Sequence, residues 1–123
     1  MEGLHILAEL HGCSSHGANG AAMHDVAALR TQCVAACREA GLTIVAEAFH
    51  GFRDAGATGA VVLAESHLAV HTWPEQNAVT LDIYVCNFSQ DNRAAAEAAY
   101  QRLVAAFGPA RVVRRDIQRG KLG

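Results

Sequence analysis

The chain has 123 residues, 51% of them hydrophobic, which is enough for one modest core. Ten Lys and Arg against twelve Asp and Glu leave a formal net charge of −2, with only 18% of residues charged. That balance excludes a nucleic-acid groove or a polybasic membrane surface as the chain's main business, and no apolar run exceeds strand length, so neither a membrane span nor a signal peptide is expected.

Leu4, Ile6, Ala8 and Leu10 alternate with His5, Leu7, Glu9 and His11, the period of a strand with one buried face. Residues 12–20 are rich in Gly, Ser and Asn and read as a loop. Val26, Leu29, Cys33 and Cys37 recur at helical spacing and Gly41 sits at a stop, predicting a helix over about 23–40. A second strand is expected over 42–52 and a turn over 53–59, which holds Gly56 and Gly59. The apolar runs 60–63 and 67–72 together suggest a third strand, broken in its middle. Val79, Leu81, Ile83 and Val85 alternate with Thr80, Asp82, Tyr84 and Cys86 in a fourth.

Asp91 or Asn92 can cap a second helix, with Ala96, Ala99, Tyr100, Leu103 and Phe107 on one stripe and Gly108-Pro109 as its end. Val112, Val113 and Ile117 suggest a last, weaker strand before a basic, Gly-containing tail that runs to residue 123. The order β-α-β-β-α-β predicts one α+β domain over 1–123, a two-layer sandwich with both helices on one face of a largely antiparallel sheet. Several strands carry apolar residues on both faces. A homodimer packed through its sheets is the economical way to cover the second one.

The four cysteines (Cys13, Cys33, Cys37, Cys86) form no dense framework and are expected as thiols in a reducing, cytoplasmic setting. Cys33 and Cys37 stand four apart on the first helix and can clamp a metal with histidines, yet small apolar neighbours favour simple packing. Unusual residue types crowd between Phe49 and Cys86. A serine-hydrolase triad of Ser66, His71 and a Glu lacks a Gly-x-Ser-x-Gly elbow, and strand parity sends Ser66 and His71 to opposite faces. A zinc site at His67 and His71 wants two more ligands. No metal is expected.

Phe49-His50-Gly51-Phe52, then Gly59-Ala60-Val61-Val62-Leu63, then Ala64-Glu65-Ser66-His67-Leu68-Ala69-Val70-His71-Thr72-Trp73-Pro74-Glu75 lead on to Cys86. This run resembles the short bacterial and archaeal S-adenosylmethionine decarboxylases, and the similarity extends from His5-Ile6-Leu7-Ala8-Glu9 to about Phe107.

The resemblance implies a self-processing enzyme whose Glu65–Ser66 bond is cut by the serine, giving a β chain 1–65 and an α chain 66–123 that begins with a pyruvoyl group derived from Ser66. Ser66 Oγ attacks the Glu65 carbonyl in an N-to-O acyl shift, which asks for a strained peptide and oxyanion donors. His71 is the expected proton carrier. Thr58 stands where the family usually has an assisting serine, keeping the hydroxyl and adding a methyl. β-Elimination of the ester leaves dehydroalanine, which hydrolyses to the ketone. The pyruvoyl carbonyl then takes a substrate amine as a Schiff base and accepts the electrons released with carbon dioxide, so no external cofactor is called for.

The same resemblance gives Cys86, Phe52 and Glu75 their roles. Cys86 matches the proton donor, and a thiol suits a general acid better than a hydroxyl. Phe52 matches a ring that stacks on adenine, and Glu75 a carboxylate whose two oxygens accept from two ribose hydroxyls. Phe49 is either a substrate contact or core, and Glu9 shares an outward face with His5 and His11, within reach of a substrate's positive end. His50, His67 and Trp73 read as packing or orienting neighbours. After Cys86 many family members have Gly and acidic residues, whereas this chain has Asn87-Phe88-Ser89-Gln90-Asp91-Asn92.

The expected function is S-adenosylmethionine decarboxylation that supplies the aminopropyl donor for spermidine synthesis. The alternatives are ornithine or arginine decarboxylation on the same scaffold, or a non-catalytic paralogue that binds an active decarboxylase.

Overall fold

In a computed structural model describing residues 2–14 and 20–120, six strands form one sheet and two helices lie against it. Ser15 to Asn19 of the expected first loop and Lys121 to Gly123 of the expected tail lie outside the described residues. The strands are β1 (Gly3–His11), β2 (Ile44–Gly51), β3 (Ala57–Leu63), β4 (Ser66–Trp73), β5 (Ala78–Cys86) and β6 (Arg111–Arg119), with helices α1 (Val26–Glu39) and α2 (Arg93–Phe107). Their order across the sheet is β2-β3-β4-β5-β1-β6, and every neighbouring pair is antiparallel. The two-layer α+β class stands.

The strand count does not. The expected broken third strand is two strands, β3 and β4, joined by a two-residue turn at Ala64-Glu65, so that Leu63 pairs with Ser66. The chain order is therefore β-α-β-β-β-β-α-β. No Gly or Asn marks that turn, and the apolar run of β3 leads straight into it. The expected turn over 53–59 is shorter, and Gly59 lies inside β3. Its place there has a steric reason: a Cβ on Gly59 would come within 2.0 Å of the Phe49 ring on the paired strand.

Alternation places Ile6, Ala8 and Leu10 of β1, Val61 and Leu63 of β3, Leu68 and Val70 of β4 and Val79, Leu81, Ile83 and Val85 of β5 on one buried face. Leu29, Cys33 and Cys37 of α1 and Ala96, Leu103 and Phe107 of α2 close the same core. Asp25 caps α1 by accepting from the Ala27 N–H at 3.0 Å, and Gly108, at φ +56°, ends α2 in the left-handed conformation that glycine favours. β6 has few apolar residues yet pairs with β1 along its whole length, because the backbone ladder carries it.

Among the described residues, no helix or strand covers the opposite sheet face. Val62, Trp73 and Ile117 stand exposed on it beside a line of polar residues.

Candidate active site

Two clusters occupy opposite ends of β4. At its start, the Ala64-Glu65 turn leads into Ser66, whose φ of +120° is a conformation that L side chains rarely adopt. Strain of that kind costs about 1–3 kcal/mol and persists where neighbours hold it in place. The oxygen of the Glu65 carbonyl, whose carbon is bonded to the Ser66 nitrogen, accepts from the Cys86 N–H at 3.0 Å. A backbone donor thus already rests on the oxygen that turns negative if the Ser66 hydroxyl adds to that carbonyl. Cys86 ends β5 on the side shared with Thr80, Asp82 and Tyr84, as alternation predicts, and it is a free thiol, half-buried.

The Glu65 side chain is fixed as firmly as its carbonyl. Its carboxylate accepts from the Ser89 N–H at 2.5 Å and from the Asn92 carboxamide. The Ser89 backbone bond first, then the Ser89 side chain and Asn92, hold the Glu65 carboxyl below its ordinary 4.5.

At the other end, Thr58 of β3 and His71 of β4 are directly paired, with Thr58 Oγ1 2.5 Å from His71 Nδ1. They border a cleft of about 540 Å³ that Phe52, Trp73 and Glu75 also line. Phe52 is 52% exposed, and its ring meets the His50 ring edge-on at 4.8 Å between centroids. Trp73 donates from Nε1 to Thr80 Oγ1 at 3.3 Å. Buried Thr72 anchors the floor: its Oγ1 accepts from the Ala57 N–H at 2.8 Å and donates to the Met23 carbonyl at 3.1 Å.

Thr58, His71, Thr80 and Glu9 stand opposite one another on four successive strands, so Glu9 shares their sheet face but lines a separate hollow with Thr80, Asp82 and Arg115, next to His11 at 3.3 Å. Phe49 does not face this row. Its register with Gly59 sets it on the helix-covered face, packed against the core.

Ser66 and His71 are therefore apart. Five residues of strand separate them, on the order of 17 Å at 3.3–3.4 Å per residue, and their register partners, Val85 and Thr80, lie on opposite faces.

Cys33 and Cys37 are fully buried in the core; burial pushes the Cys37 thiol up to about 11 and the Cys33 thiol higher still, which disfavours the thiolate a metal needs. Among the described residues one set of three metal-type side chains converges: His5, His67 and Asp82 on the open face. The Arg119 guanidinium approaches His5 Nδ1 at 3.4 Å, and His5 Nε2 lies 3.5 Å from Asp82 Oδ2. A cation there would sit beside the fixed positive charge of Arg119.

Residues 4–120 match the family model described as S-adenosylmethionine decarboxylase. The chain belongs to the S-adenosylmethionine decarboxylase family. Its relatives include an S-adenosylmethionine decarboxylase proenzyme of Acidithiobacillus ferrooxidans, 35% identical over 120 residues, covering 98% of this chain and 84% of that one. Another, of Picrophilus torridus, is 36% identical over 118 residues, covering 96% and 84%. A solved adenosylmethionine decarboxylase from Aquifex aeolicus superposes with a TM-score of 0.86 at 32% identity, covering 98% of this chain and 92% of that structure.

Within this S-adenosylmethionine decarboxylase fold, sequence reasoning named both clusters but missed Ser89 and Asn92. An Asn just before a helix reads as a cap. The signal that pointed further was the loop's departure from the family pattern after Cys86.

Proposed function

We propose that the chain is a self-cleaving S-adenosylmethionine decarboxylase, made as a precursor and cut between Glu65 and Ser66. The observation that carries this is the Glu65–Ser66 peptide itself: a serine at φ +120° following a carbonyl already held by the Cys86 N–H. Ser66 Oγ adds to that carbonyl and the C–N bond breaks, converting amide to ester. Removal of the Ser66 α-proton expels the Glu65 carboxylate, and water replaces the nitrogen of the resulting dehydroalanine as ammonia. The products are a β chain 1–65 and an α chain whose first residue is a pyruvoyl group. The hydroxyl, the strained linkage and the waiting donor fit the formation of that group. Once formed, it supplies a carbonyl that binds the substrate amine and takes up the electron pair freed with carbon dioxide.

The chain's own residues do the rest. Cys86 delivers the proton that replaces carbon dioxide and must remain a thiol, which suits a cytoplasmic, reducing setting. Phe52 stacks on the adenine, Glu75 accepts from the ribose hydroxyls, and Glu9 faces the cationic end of the substrate. Phe49 supports the floor from behind Gly59.

His71, assisted by Thr58, moves the protons of self-cleavage, and it does so for a second copy. Within one chain it sits on the order of 17 Å from Ser66. A two-fold axis between two open sheet faces, perpendicular to the strands, lays the Ser66 end of one copy over the His71 end of the other. The exposed Val62, Trp73 and Ile117 supply apolar surface for that packing. A homodimer with two shared sites results, its product serving as aminopropyl donor for spermidine synthesis.

The test is release of labelled carbon dioxide from S-adenosylmethionine, ornithine and arginine in parallel. Release from S-adenosylmethionine at least a hundredfold above the other two is expected. Preference for either amino acid would overturn the substrate, and no release from any of the three would overturn the reaction.

A further inference from the structure

The loop between β5 and α2, residues 87–92, has no part in the chemistry above, yet it holds a fully engaged buried side chain. Asn92 is 4% exposed. One hydrogen of Nδ2 goes to Glu65 Oε2 and the other to the Cys86 carbonyl oxygen at 2.9 Å, while Oδ1 accepts from Gln90 Nε2 at 3.1 Å. Its backbone N–H is taken by the Asn87 side-chain oxygen at 2.9 Å. Asn92 also occupies the N-cap position of α2, where an Asn ordinarily turns its side chain onto the helix. Here it makes no cap hydrogen bond, and Asp91 Oδ1 takes the Arg93 N–H at 3.0 Å in its place. The helix start forgoes its usual stabilisation, and the carboxamide is spent on Glu65 and Cys86 instead.

Those two residues flank the proposed reaction. Glu65 carries the carbonyl to be attacked, and Cys86 supplies both the N–H on that carbonyl and the thiol beyond it. We infer that Asn92 is a positioning residue for self-cleavage, its carboxamide nitrogen tying the Glu65 side chain to the end of β5 so that the scissile carbonyl stays on the Cys86 N–H. The inference rests on the cleavage proposed above. After cleavage the same contacts join the β chain's last residue to the α chain, since Ser89 and Asn92 both lie beyond residue 66.

The experiment follows precursor cleavage of freshly translated full-length chain on denaturing gels, for Asn92→Asp, Glu65→Gln, the double variant and the unchanged chain. Asn92→Asp sets two carboxylates together and is expected to slow cleavage at least tenfold at pH 7.5. With Gln at 65 an amide again faces a carboxylate, so Asn92→Asp should cost at least threefold less there than in the Glu65 background, the bond to the Cys86 carbonyl being lost in both. Lowering the pH to 5.5 should narrow the defect in the Glu65 background alone, because the crowded pair can share a proton. An equal slowing in both backgrounds, or none, would overturn the inference, because a role confined to starting α2 predicts no dependence on residue 65. Should Asn92→Asp fail to fold, the Asn92→Ala and Glu65→Ala cycle serves: a double variant no slower than the slower single supports the inference, and additive slowing overturns it. An unchanged chain that never cleaves would bring down the underlying reading as well, whereas cleavage without coupling removes the inference alone.

Discussion

Thr58 Oγ1 and His71 Nδ1 face each other at 2.5 Å across β3 and β4, and Ser66, the residue they are proposed to serve, lies at the far end of the same strand. This separation makes complementation a direct test of the shared site. Ser66→Ala alone should leave the chain whole, and His71→Ala alone should cleave poorly. Coexpressed, they should form mixed dimers in which the His71→Ala copy keeps Ser66 and meets an intact partner histidine. Roughly half of the Ser66-bearing chains should then be cleaved if copies pair at random. Cleavage no greater than in His71→Ala alone would place both residues in one chain's site.

Cys86 ends β5 with a free thiol, and its backbone N–H rather than its side chain touches the Glu65 carbonyl. Cys86→Ala preserves that N–H. Cleavage should persist to a substantial degree while kcat falls about 10²–10⁴-fold, the usual worth of a positioned proton donor. Kinetics unchanged from the parent would remove the thiol from turnover.

Phe52 is exposed at the rim of the cleft that Glu75 also lines. A base stacked on an aromatic ring is worth about 1–3 kcal/mol, so Phe52→Ala should raise KM by roughly 5- to 150-fold with kcat much less affected. Glu75→Gln should raise KM for S-adenosylmethionine in the same way. Steady-state kinetics check both, and an unchanged KM in both variants would mean that the nucleoside lies elsewhere.

Arg114 of β6 donates to both Glu97 oxygens at 2.8 Å and also to Asp116, with its guanidinium 4.4 Å from the centre of the Tyr100 ring. Arg114 holds the Glu97 carboxyl below its ordinary 4.5. A carboxyl depressed in the folded state contributes stability above its unfolded value, and that contribution disappears as pH falls through the folded one. Stability of the α2–β6 contact should therefore decline below about pH 4.5, and Glu97→Gln should flatten that part of the stability–pH curve in urea titrations. An identical slope in the variant would show that Arg114 is compensated by Asp116 alone.

Much of this is legible in the amino-acid sequence. The alternation of β1 and β5 gave the buried face and put Cys86 on the other side, and Gly41 and Gly108 marked where the helices stop. The β3–β4 turn was hidden because Ala64-Glu65 carries no turn signal and the apolar runs on either side read as one strand. The face of Phe49 was ambiguous because β2 shifts register between Ile44 and Ala46, which breaks simple parity. Asn92 was concealed by its own good cap propensity. The distance between Ser66 and His71 was implicit in five residues of extended chain, but its consequence needed the sheet, which shows that no bulge within β4 brings the two together.

The most direct measurement is the intact mass of the purified protein, with sequencing of its fragments. Two chains meeting between Glu65 and Ser66 are expected, the larger ending in a glutamate carboxylate and the smaller beginning with a ketone in place of the serine amine and hydroxyl. A single continuous chain, with Ser66 unaltered in material that releases carbon dioxide from S-adenosylmethionine, would contradict self-cleavage.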